Sequence, residues 1–189
     1  MFEFRESKIA GCFEIQPRVL EDTRGRFVKV FHRDVYAARG LETDFVEEFF
    51  SISHKNVIRG LHFQTPPMSH VKLVCCVQGE AMDVVLDLRV GSPTYGQFDI
   101  FELGAMKSNG IYIPEGLAHG FCALSESATM LYNVTNIYSP AHDSGIRYDS
   151  VGIPWPVQVS DVIISDRDIG FPSLKDFRSP FFYEMRDVR

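Results

Sequence analysis

No stretch of this 189-residue chain approaches the roughly 18 consecutive apolar residues that a membrane-spanning helix requires. The opening MFEFRESK carries charge where an export signal needs an apolar core, so a cytoplasmic protein is expected. Long Lys/Arg stripes are missing too. With a net charge of −6, the composition argues against a nucleic-acid or membrane-surface partner, while leaving room for a local cationic pocket. The four cysteines, Cys12, Cys75, Cys76 and Cys122, form no C-x-x-C pair. They are expected to be reduced thiols in the core, with neither zinc nor a disulfide. Linkers, repeats and low-complexity tracts are absent, which leaves a single domain over residues 1–189.

Strand signals dominate what is present. In Glu80 to Val90, Met82, Val84, Leu86 and Leu88 alternate with Asp83, Asp87 and Arg89, the two-residue period of a half-buried strand. HVKLVCCV before it reads as its hairpin partner across Gln78-Gly79. Further strands are predicted over 12–18, 26–31, 46–53, 57–63, 97–103, 109–113, 118–124 and 128–135. Turn residues separate them at Thr23-Arg24-Gly25, Gly91-Ser92-Pro93, Ser108-Asn109-Gly110 and Pro114-Glu115-Gly116. Helix is scarce, with one short segment expected from Asp34 to Arg39 before Gly40. Many short strands at such spacing predict an all-β antiparallel sandwich or barrel.

The segment VIRGLHFQ (57–64) is apolar yet carries Arg59, His62 and Gln64. A lone strand histidine is ordinarily a core residue bonded to a carbonyl. Here Arg59 and Lys72 stand close in sequence, and no Asp or Glu lies between Lys55 and Gln78. Buried cations need an anionic partner, so a ligand is one way to supply it. Pro114-x-Gly116-x-x-His119 matches the second half-motif of a cupin barrel and aims His119 inward, while His62-Phe63-Gln64 lacks the H-x-H of metal-binding cupins. A metal site is therefore not expected. Tyr132 shares a strand face with Met130 and Val134, and reads either as a buried structural tyrosine or as a general acid opposing a histidine. Locally, Asp168 looks like an exposed loop carboxylate, and His32, His54, His70 and His142 look like surface or loop histidines.

Taken together, NVIRGLHFQ, KLVCCVQGEAMDVVLDLRVGSPTYGQ, IPEGLAHGF and LYNVTNIYSP resemble the dTDP-4-dehydrorhamnose 3,5-epimerase family, in the same order from about Cys12 to Asp168. That resemblance implies a cupin-type antiparallel jelly-roll barrel with few short helices. It implies a homodimer sharing its N-terminal strands, and no cofactor or metal. The implied reaction epimerises C3 and/or C5 of a nucleoside-diphosphate 4-keto-6-deoxyhexose through an enolate, in deoxysugar biosynthesis for surface polysaccharide. His62 matches the family's base, Asp168 the carboxylate behind it, Lys72 the cation facing the enolate and Tyr132 the acid. Arg59 and His119 match groups contacting the diphosphate or sugar, Arg24 a contribution from the partner subunit, and Tyr138 the aromatic stacked on the nucleobase.

Departures from the family pattern concentrate at the binding rim. Lys29 replaces a usual Glu, and Glu47-Glu48-Phe49 a Gln-Asp-Asn cluster; Cys75 stands for an Arg, Asp143 for a Glu and Arg167 for a Lys. Altered recognition is the resulting expectation, with a CDP carrier or epimerisation at C3 alone as alternatives. A ketoisomerase on the same scaffold would not need Tyr132 as an opposite-face acid. A catalytically silent sugar-nucleotide binder would not need His62, Tyr132, Lys72 and Asp168 together, and a cupin oxygenase lacks its metal ligands.

Overall fold

The computed structural model describes residues 2–184. Thirteen strands among them form two main antiparallel sheets and a hairpin. One sheet runs β1 (Phe2–Glu6), β2 (Phe13–Pro17), β10 (Gly110–Ile113), β7 (Lys72–Gln78), β12 (Ser127–Val134), β5 (Glu47–His54). The other runs β13 (Asp143–Gly145), β6 (Ile58–Gln64), β11 (Leu117–Ala123), β8 (Glu80–Asp87), β9 (Phe98–Gly104). The hairpin β3 (Val19–Asp22) and β4 (Gly25–Val28) pairs only with itself. This is the cupin-type jelly roll expected from the motifs, with each predicted strand segment overlapping an observed one.

The inner faces supply a common core: Val74 and Cys76 from β7, Ala81 and Val85 from β8, Phe121 from β11, and Met130 and Tyr132 from β12. The outer face of the five-stranded sheet is covered by the C-terminal segment, where Ile58, Leu61, Val84 and Leu86 pack against Trp155, Val162 and Phe177. The short helix α1 (Arg33–Ala37) lids the other sheet, its Tyr36 packing with Phe2, Phe4 and Phe31. Gly40, at φ +69°, ends this region as the turn signal suggested.

Two readings change here. Strand β8 is not half-buried: Asp83 and Asp87 are as inaccessible as Val84 and Leu86. The C-terminal segment covers its apolar face, and its Asp face points into the barrel. Strand β1 and the second helix, α2 (Asp166–Ile169), arise where the local pattern gave no signal.

Candidate active site

Strand β6 would alternate its side chains strictly if it were regular, placing Arg59 and His62 on opposite faces. Instead the β6–β11 register shifts between His119 and Phe121, opposite Gly60. Gly60 takes φ +137°, and a Cβ there would come within 2.5 Å of Gly120 Cα. Only glycine fits both the conformation and the space. The bulge re-aims the side chains beyond it. Ile58, Leu61 and Phe63 pack in the outer core, whereas Arg59, His62 and Gln64 face the barrel cavity.

That cavity measures about 370 Å³. Its floor brings together His62, Lys72, His119 and Tyr132; its rim carries Glu47, Phe49, Arg59, Tyr138, Asp143 and Arg167. His62 Nε2 stands 2.9 Å from Asp168 Oδ1, a close but bent contact that occupies this nitrogen and leaves Nδ1 to take a proton. Asp168 is buried in α2, not exposed in a loop; its Oδ2 accepts from the Gly60 N–H at 3.1 Å. Burial works to raise the Asp168 pKa, but the His62 ring and this N–H outweigh it and hold the carboxyl below its usual range. Burial, aided by the charges of Lys72 and Arg167, pushes the His62 pKa down despite Asp168. A neutral imidazole at neutral pH is the result, as a base requires.

Lys72 Nζ donates to the His62 carbonyl at 3.2 Å. Burial brings its pKa down to about 8, against the opposing pull of Asp143 and Asp83. Carboxylates distant in sequence thus supply the counter-charge that VIRGLHFQ and its neighbours lack. Tyr132 stacks on Phe49 with centroids 4.8 Å apart, and desolvation raises its pKa well above normal, so the phenol stays protonated. His119 Nε2 lies 2.8 Å from Asp83 Oδ2, both fully enclosed, and its ring meets Tyr132 edge-on. Asp83 carries no sequence signal of its own, because its partner stands 36 positions away.

The rim is cross-tied. Tyr138 Oη approaches Asp143 Oδ2 at 3.4 Å, and Asp143 pairs with Arg167, whose Nη1 reaches Asp168 Oδ1 at 3.6 Å. Arg59 Nε donates to Ser53 Oγ at 2.9 Å and leaves its guanidinium exposed beside the cavity. Arg24 and Lys29 are exposed on and after the β3–β4 hairpin, outside the cavity lining, with Arg24 paired to Asp22. Cys75 is buried and also lines no part of the cavity. His70, in the loop before β7, lines it.

A profile of the family described as dTDP-4-dehydrorhamnose 3,5-epimerase matches residues 6–176. The chain belongs to this family. It is 40% identical over 178 residues to the dTDP-4-dehydrorhamnose 3,5-epimerase of Methanothermobacter thermautotrophicus, covering 93% of this chain and 96% of the relative. It is 39% identical to the dTDP-4-dehydrorhamnose 3-epimerase of Streptomyces niveus, over 85% of this chain and 78% of that one. The fold superposes with a TM-score of 0.92 on the dTDP-6-deoxy-D-glucose 3,5-epimerase of Legionella pneumophila in complex with dTDP-4-keto-L-rhamnose, at 33% identity, covering 97% and 100% of the two chains. As a member of the epimerase family, the protein is a sugar-nucleotide epimerase, and the cavity between its two sheets is the place in the fold where His62, Lys72 and Tyr132 meet.

Proposed function

We propose that this single-domain epimerase inverts C3 and C5 of a dTDP-linked 4-keto-6-deoxyhexose. The observation that carries the reading is the convergence of His62, Lys72 and Tyr132 in one cavity, with Asp168 behind the histidine. A 4-keto group acidifies the protons on C3 and C5. His62 Nδ1 takes one of them, Asp168 fixes the tautomer and stabilises the imidazolium, and the electron pair moves onto O4 as an enolate. Lys72 faces that charge; such a preorganised donor contributes about 10²–10³-fold in rate. Tyr132 Oη returns a proton from the opposite face, which inverts the centre.

Arg59 and His119 are assigned to the diphosphate and sugar. Arginine's planar fork suits phosphate oxygens. Tyr138, half exposed at the mouth, is assigned to the base, with Glu47, Asp143 and Arg167 shaping the rim. Phe49 lines the cavity but is engaged with Tyr132, so it gives no positive case for a CDP carrier.

The working unit is a homodimer. Leu20 and Phe27 expose apolar side chains on the self-paired β3–β4 hairpin, and edge strand β5 exposes Phe50 and Ile52. Such edges and patches are normally covered. A partner's hairpin laid there would bring Arg24 to the cavity. The four buried free thiols support a cytoplasmic setting.

The test is conversion of dTDP-4-keto-6-deoxy-D-glucose, followed by NMR of the sugar. Inversion at both centres is expected. Product from a CDP-linked sugar alone would contradict the carrier, and inversion at C3 alone would contradict the regiochemistry.

A further inference from the structure

His70 lines the same cavity as Lys72, and its Nε2 is buried with no partner among the described residues. Its other nitrogen is fixed by Gln64. That carboxamide is itself buried and fully engaged: Oε1 accepts from the Ser139 N–H at 2.6 Å, while Nε2 donates to the carbonyls of Met68 at 2.8 Å and Ile137 at 3.0 Å. Reversing the amide would set its oxygen against two carbonyls, so the orientation is determined. The Gln64 amide nitrogen then lies 3.1 Å from His70 Nδ1. An N–H on Nδ1 would face another N–H group, so Nδ1 is bare and the proton sits on Nε2. The chain of contacts from Ser139 through Gln64 thus sets the proton on Nε2 of a histidine in the cavity wall.

We propose that His70 donates its Nε2–H to an oxygen of the hexose in the bound sugar nucleotide, and that Gln64 is the positioning residue that holds it there. The assignment rests on the sugar-nucleotide reading of the cavity. Burial and the neighbouring Lys72 charge keep His70 neutral, with its pKa pushed down to about 3. A phosphate would call for a cation, as Arg59 provides; a sugar hydroxyl or carbonyl oxygen is matched by a neutral N–H. An unpartnered buried donor is costly, so the site favours a ligand that completes it over one that does not.

Calorimetric titration with dTDP and with dTDP-glucose, which lacks the 4-keto group and does not react, tests this. His70→Phe is expected to weaken dTDP-glucose about tenfold, the equivalent of one hydrogen bond, and to leave dTDP within about twofold. His70→Gln, with an oxygen toward Gln64 and an N–H into the cavity, should recover most of the loss. Equal weakening of both ligands, no weakening, or failure of His70→Gln to recover affinity would overturn the assignment. Should the unsubstituted protein bind dTDP but gain nothing from the hexose, the His70 role fails alone. Should it bind neither ligand, the proposed carrier fails and the assignment with it. In the unsubstituted protein, the His70 Nε2–H resonance should shift with dTDP-glucose and stay put with dTDP; an unmoved resonance with both would equally overturn the proposal.

Discussion

Gly60 and Gly120 meet across the β6–β11 ladder so closely that a Cβ on Gly60 would lie 2.5 Å from the Gly120 Cα. This contact permits the bulge that turns Arg59, His62 and Gln64 to one side of a strand whose regular pleat would divide them. The site's chemistry therefore depends on two residues that carry none.

Gly60→Ala is predicted to lower stability by about 1–3 kcal/mol from the backbone conformation alone. Loss of His62 alignment should cost a further factor of about 10² in kcat. Urea denaturation and steady-state kinetics on the same preparation check both; a stable, fully active variant would show that the bulge does not aim His62.

Asp168→Asn retains an oxygen for the Gly60 N–H but loses the charge behind His62. A fall of about 10²-fold or more in kcat is expected, within the range for general acid–base catalysis, with little change in KM. A purely raised KM would mean that Asp168 serves binding instead.

The pH profile is set by two depressed pKa values. His62 must be neutral to act, and its pKa lies below the ordinary imidazole value, so the acid limb of kcat/KM should fall below about pH 6.5. Lys72 must be protonated, and activity should decline as pH rises through about 8. An alkaline limb that persists unchanged in Lys72→Met would assign it to another group.

If Arg24 reaches the partner's cavity, mixing Arg24→Ala with His62→Ala subunits creates heterodimers with one intact site and one doubly substituted site. Random reassociation of the two inactive forms should restore about one quarter of wild-type activity, by counting sites in a twofold dimer. No recovery, with heterodimers demonstrated by mass, would place Arg24 in its own chain's site or outside it.

Most of the barrel was legible because strand periodicity and turn residues are local signals. The polar face of β8 was misread for the same reason: Asp83 and Asp87 look solvent-facing until the barrel closes around them. Asp168 was legible only through family resemblance, since its contact with Gly60 spans 108 positions. His70 was missed because its role is conferred by Gln64 and the Ile137–Ser139 turn, none of which marks a histidine in sequence. Strand β1 was missed because FEFRE gains its partner only on pairing with β2.

The central claim is that His62 removes carbon-bound protons next to the 4-keto group. Incubating the protein in D₂O with dTDP-4-keto-6-deoxyglucose and following C3 and C5 by NMR measures this directly. Deuterium should enter both positions with the unsubstituted chain and neither with His62→Ala. Undiminished exchange in His62→Ala, or none in the unsubstituted protein, would contradict it.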